Sequence, residues 1–62
     1  MRTFEFFYEG NSGHYGDGRM TVTLRKVAMD LTTALRLATD HMSKVFGDAA
    51  AAYDLKSVTE VD

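Results

Sequence analysis

Hydrophobic and polar residues change their spacing along this chain, and the changes predict its elements. From Arg2 to Glu9, RTFEFFYE, they alternate: Phe4, Phe6 and Tyr8 fall on one face of a strand, and Thr3, Glu5, Phe7 and Glu9 on the other. An aromatic on the second face, Phe7, suits the middle of a sheet better than its edge. Met20 to Val27 alternates again, with Met20, Val22 and Leu24 on one face and Thr21, Thr23, Arg25 and Val27 on the other, rich in β-branched residues that fit a pleated surface. Between these strands, Gly10 to Gly18 (GNSGHYGDG) places four glycines in nine residues with Asn11, Ser12 and Asp17 among them. That is turn chemistry, too long for a tight hairpin, and predicts a mobile loop between two antiparallel strands.

The spacing then becomes helical. Over Asp30 to Phe46, Leu31, Leu35, Ala38, Met42 and Val45 recur at steps of four and three and make one apolar stripe, while Arg36, Asp40, Lys44, Thr32 and Thr33 fall largely away from it. Asp30 is placed to accept a hydrogen bond from the first helical turn. Gly47 can adopt the left-handed conformation that closes a helix, with Lys44 in the last turn facing the negative end of the dipole. Asp48 to Ala52 reads either as a further helical turn capped by Asp48 or as a compact connection. Tyr53 to Val61 is a closing strand of imperfect alternation, because Leu55 and Val61 share one parity and Val58 has the other. Either a bulge between Leu55 and Val58 brings them to one face, or Val58 lies on the uncovered side.

These elements predict a single α+β domain over residues 1–62, ordered β-β-α-β. The sheet is three-stranded and antiparallel with the Phe-rich strand central, spatial order 2-1-3, and the helix packs on one face. That helix is expected to cover Phe4, Phe6, Tyr8, Met20, Val22, Leu24 and Leu55, with Met1, Met20, Met29 and Met42 mostly filling the core and Met29 alternatively stapling the entry turn or staying exposed. One helix covers one face, so Phe7, Val27, Thr21 and Thr23 look outward with Arg25. Two accounts of that outer face stand side by side: a docking surface for a second copy or a partner, and the ordinary wet face of an antiparallel sheet.

Composition narrows the functional classes. A chain of 62 residues removes only roughly 60% of its unfolded surface from water on folding, and it has no cysteine to cross-link a small core. Association with another chain, including a homodimer, is therefore expected as a source of stability. The net charge is −2 with both signs scattered, which disfavours nucleic acid as a partner. No apolar run approaches the ~20 residues that span a bilayer, and the opening Met1-Arg2-Thr3 does not lead into a signal-peptide core, so the expected location is the cytoplasm.

Candidate chemistry is sparse. The glycine-rich segment matches neither G-x-G-x-x-G nor a loop ending G-K-[ST], and a strand follows it, so a flexible linker is the plainer account. His14, Tyr15 and Asp17 at its tip remain candidate contacts, since an aromatic in a mobile loop can become an anchor. His14 and His41 share no metal-binding spacing, and His41, at the margin of the helical stripe, reads as a partly buried or solvated histidine. Ser12, Ser43 and Ser57 are isolated from any activating base, and Glu5 and Glu9 are too far apart to work as an acid–base pair. The chain is accordingly expected to be no enzyme and to hold no metal or cofactor.

The layout as a whole, from RTFEFFYE through MTVTLRKV and DLTTALRLA to the closing SVTEVD, resembles the very small β-β-α-β proteins of bacteriophages and mobile elements, among them anti-CRISPR and other anti-defence inhibitors. That resemblance is architectural and covers nearly the whole chain. It implies an inhibitor that binds a protein target by occlusion, the target being a host defence complex and the site of action the host cytoplasm. Contacts are expected from the outer sheet face, Phe7, Thr21, Thr23, Arg25 and Val27, or from the loop, His14, Tyr15 and Asp17. The alternatives are a nucleic-acid-binding accessory protein using Arg19, Arg25, Lys26 and Lys56 with Tyr15 or Phe7 for stacking, and a small structural subunit of a larger assembly.

Overall fold

The computed structural model describes residues 1–11 and 19–61. Strand β1 (Arg2–Asn11) lies between β2 (Arg19–Ala28) and β3 (Tyr53–Val61), and both pairings are antiparallel. Helix α1 (Leu31–Phe46) and a short 3-10 helix (Gly47–Ala52) connect β2 to β3. This is the α+β fold and the 2-1-3 strand order that the aromatic content of β1 predicts. No helix among the described residues is long and apolar enough to cross a membrane.

The hairpin strands run further than their alternation suggests. Gly10 and Asn11, expected in the loop, pair with Met20 and Arg19, and the rest of the expected loop, residues 12–18, lies outside the described residues. Gly10 is buried in β1 because the Tyr53 ring lies over it: a Cβ there would meet Tyr53 Cε1 at 3.0 Å and Cδ1 at 3.2 Å. The Tyr53 hydroxyl reaches the Met20 sulfur at 3.8 Å, and its ring packs on Phe46 with centroids 4.7 Å apart. One aromatic side chain thus joins all three strands to the end of the helix, across a glycine that leaves room for it.

In β3 the register shifts between Phe7 and Tyr8, which face Ser57 and Leu55 respectively, so Lys56 is the extra residue of a bulge. Of the two readings of this strand, the bulge is the one that holds. It turns Leu55 and Val58 to the same face, the one that carries Phe4, Phe6 and Tyr8.

The helix begins where Asp30 accepts a hydrogen bond from the Thr33 N–H at 2.8 Å, and it ends at Gly47, whose N–H donates to the Ser43 carbonyl. Gly47 has φ 57° as expected of a closing glycine, but its ψ of −128° lies outside the left-handed helical well. The six residues that follow form a 3-10 helix, the helical alternative for this alanine run. Asp48 does not cap it, because the cap position falls to Phe46.

The core is Phe4, Phe6, Tyr8, Ala28, Ala34, Ala38 and Met42, with Val22, Leu24, Phe46, Ala50 and Tyr53 packed around it. Phe6 is fully buried, and burial of one such side chain contributes about 1.5–3 kcal/mol. Ala38 and Met42 of the expected helical stripe are buried, but its centre is rotated: Ala34 is buried with them, whereas Leu31, Leu35 and Val45 are exposed. The reason is volume. Three aromatic rings rise from β1 beneath the helix, and alanines opposite them let the backbone approach closely enough to close the layer. The methionines are likewise mostly outside, since Met1, Met20 and Met29 are exposed and Met42 alone of the four is buried.

Candidate functional site

Helix α1 does not sit centrally on the sheet. It lies mainly over β2 and β1, and so covers Val22 and Leu24 but leaves Leu55, which the sequence placed beneath it, partly open. Its two flanks can be told apart by their neighbours. Leu37, His41 and Lys44, spaced four and three residues apart, share a cleft with Arg25, Lys26 and Val27 and therefore look over β2. Phe46 stacks on Tyr53 of β3, so Leu35, Thr39 and Phe46, one stripe at steps of four and seven, look toward β3.

On that second side an apolar strip is uncovered. Leu31 and Leu35 of α1 are exposed at 46% and 39%, and Leu55 and Val58 of β3, turned toward the helix side by the bulge, at 38% and 36%. Leu35 and Thr39 continue onto the outward surface of α1, where they border an open depression of about 510 Å3 with Arg36, Asp40 and Ser43. At the inner margin of the strip the Tyr8 hydroxyl is buried and has no hydrogen-bond partner among the described residues.

The other face of the sheet carries the contact residues expected from the sequence. The register sets Phe7 opposite Thr23 on one side and Ser57 on the other, and Thr21, Thr23, Arg25 and Val27 stand on the same face of β2. Phe7 is only half-exposed, while those four are exposed. Arg25 is held by Glu5 across the strand pair, Nε to Oε2 at 2.9 Å. Val27 lies opposite Thr3, four positions along the register from the Thr23–Phe7 pair, so this face brings together threonines and charges with two separated apolar residues. His14, Tyr15 and Asp17 lie outside the described residues.

The basic residues do not form one track. Arg25 and Lys26 belong to β2 and Lys56 to β3, at opposite edges of the sheet, and they are separated by the width of β1. Arg2 forms a two-pronged pair with Glu60, Nη2 to Oε1 at 2.6 Å and Nε to Oε2 at 3.1 Å, and its guanidinium carbon stands 5.0 Å from the centroid of the Phe4 ring. The hydrogen bond to Glu60 raises the Arg2 pKa and lowers that of Glu60.

Lys26, named from the sequence only as one of four basic residues for nucleic acid, has a partner that the sequence did not suggest. It continues the apolar face of β2 after Met20, Val22 and Leu24, is half-buried, and its ammonium lies 3.0 Å from His41 Nδ1. An ammonium has only donors, so Nδ1 accepts and the ring proton resides on Nε2. The signal available was parity: a cation on the face of β2 that meets the helix needs a polar partner there, and His41 was the residue at the margin of the stripe. Comparison of the chain with protein-family models, curated proteins and solved structures found no match.

Proposed function

We propose that this chain is a non-enzymatic protein-binding module that acts by occlusion, and that it docks its partner on the open half of the sheet between α1 and β3. The observation that carries the proposal is the strip of Leu31, Leu35, Leu55 and Val58, four apolar side chains each more than a third exposed on one side of a small domain. Exposed apolar side chains of this kind are removed from water by a partner more readily than by rearrangement of a packed two-layer fold. The outer face, with Phe7 half-buried among threonines and paired charges, offers less. The inhibitory role and the choice of a host defence complex as target follow from the architectural resemblance to small phage proteins of the anti-defence kind.

The test is capture from bacterial lysates that contain a defence complex, together with a phage-plating assay in which the chain is co-expressed. The unaltered chain is expected to retain a defence component and to restore plating, and the double variant Leu35→Glu/Leu55→Glu, changed only at exposed positions, is expected to do neither while keeping its circular dichroism spectrum. Capture that survives this change but is lost on Phe7→Ser would move the contact to the outer face. Retention of no protein by the unaltered chain, with a monomeric mass by light scattering, would overturn the reading.

A further inference from the structure

We infer that the cleft between α1 and the β2 edge is an anion site for the phosphoryl group of a small ligand. The cleft has a volume of about 300 Å3, at the lower end of the range for small-molecule sites. Three cations line it, Arg25, Lys26 and Lys44, against one carboxylate, Asp40. With His41 neutral, and with Glu5 counted beside its partner Arg25, one positive charge is left over, that of Lys26, on a chain whose net charge is −2. The positive field is local to this recess and is not a property of the whole surface.

Lys26 distinguishes the recess from an ordinary charged surface. Among the described residues Arg2 is paired with Glu60, Arg25 with Glu5 and Lys44 with Asp40. Lys26 is half-buried, its partner is a neutral imidazole, and no described carboxylate lies within ion-pair distance of it. A partly desolvated cation without a counter-charge favours an anion beside it. His41 fixes the direction of the ammonium with one contact and leaves the remaining N–H donors for a ligand.

The arrangement suits a phosphoryl group better than a carboxylate. Donors reach the recess from both walls, Lys26 from the strand and Lys44 from the helix, and a tetrahedral group presents oxygens to both at once. The carboxylate partners of Arg25 and Lys44 form exposed ion pairs, which exchange at little cost. Leu37 and Val27, exposed on the same walls, offer apolar surface to whatever carries the phosphoryl group. This site is on the opposite flank of α1 from the apolar strip and stands or falls independently of it.

The experiment is an NMR titration of the full chain with inorganic phosphate at constant ionic strength, with acetate as the carboxylate control. Saturable shifts at the amides of Lys26, Leu37, His41 and Lys44 are expected, with affinity reduced about tenfold or more by Lys26→Met. The exposed Lys44→Met, which leaves the core untouched, is expected to weaken binding without loss of spectral dispersion, and Lys56→Met on the far edge to leave it unchanged. A nucleoside monophosphate should bind more tightly than inorganic phosphate if Leu37 and Val27 are used. Non-saturable shifts, equal response to acetate, or unchanged affinity in both the Lys26 and Lys44 variants would overturn the site. Affinity for a single-stranded oligonucleotide that rises with its length and falls steeply with salt would replace the small ligand with nucleic acid.

Discussion

Tyr8 is the residue whose environment is least satisfied. Its ring belongs to the core, yet its buried hydroxyl has, beyond a marginal contact with the Thr39 hydroxyl, no hydrogen-bond partner among the described residues, and such a group carries a desolvation cost of about 1–3 kcal/mol. Burial raises its pKa above the usual 10.0, an effect that the nearby Thr39 hydroxyl offsets only in part. The folded state therefore disfavours the phenolate. Stability from this group is complete below the unfolded value and is lost as the pH rises through the raised folded one, because the unfolded chain releases its proton first. Tyr8→Phe, which keeps the ring and removes the hydroxyl, should raise the unfolding free energy by about 1 kcal/mol in urea titrations and flatten the alkaline loss of stability. A variant less stable than the parent at neutral pH would mean that the hydroxyl is hydrogen-bonded in solution.

At the scale of elements, α1 divides into what its sequence specifies and what its surroundings decide. Its ends were legible, because Asp30 and Gly47 act through the backbone of the helix itself. The Thr33 N–H, the larger influence, lowers the Asp30 pKa below 3.8, and Arg2 lowers that of Glu60 below 4.5. Both contributions are present above those values and disappear as the pH falls through the depressed ones. Asp30→Asn retains a capping oxygen without the charge, so its melting temperature should match the parent near neutrality and fall less steeply with acid; an unchanged acid slope would remove the cap from this account. The rotation of the helix was not legible. Of the predicted stripe of Leu31, Leu35, Ala38, Met42 and Val45, Ala38 and Met42 are buried as expected, while Ala34 takes the buried place that hydrophobicity assigns to the leucines. The choice is made by the rings of Phe4, Phe6 and Tyr8 below, which are too large to share the interface with leucine. The same offset opened the strip beside β3, which no pattern along the chain encodes, whereas the outer-face residues Thr21, Thr23, Arg25 and Val27 were grouped correctly because strand parity alone places them.

For the molecule as a whole, one helix displaced toward β2 produces an uneven structure. β1 has a hydrogen-bonded neighbour on each side, whereas β3 pairs on one side only and most of its residues are exposed. Amide hydrogen exchange should accordingly be slowest in β1 and α1, with β3 opening in fluctuations that do not require global unfolding. Exchange of β3 at the rate of β1 would mean that something covers it in solution, a second copy included. The strand order was legible because Phe7 gives β1 a second apolar face; the displacement was not, because it depends on how alanines and aromatics fit across two layers. The bulge at Lys56 has a consequence for the crowded chain. A free strand edge is a template on which other polypeptides can add, and growth of that kind ends in fibres. One residue out of step breaks the even row of donors and acceptors on β3, so an incoming strand cannot stay in register past Lys56. The β2 edge has no such irregularity, and there Arg25 and Lys26 set charge against a growing sheet. The domain thus resists polymerisation by geometry at one edge and by electrostatics at the other.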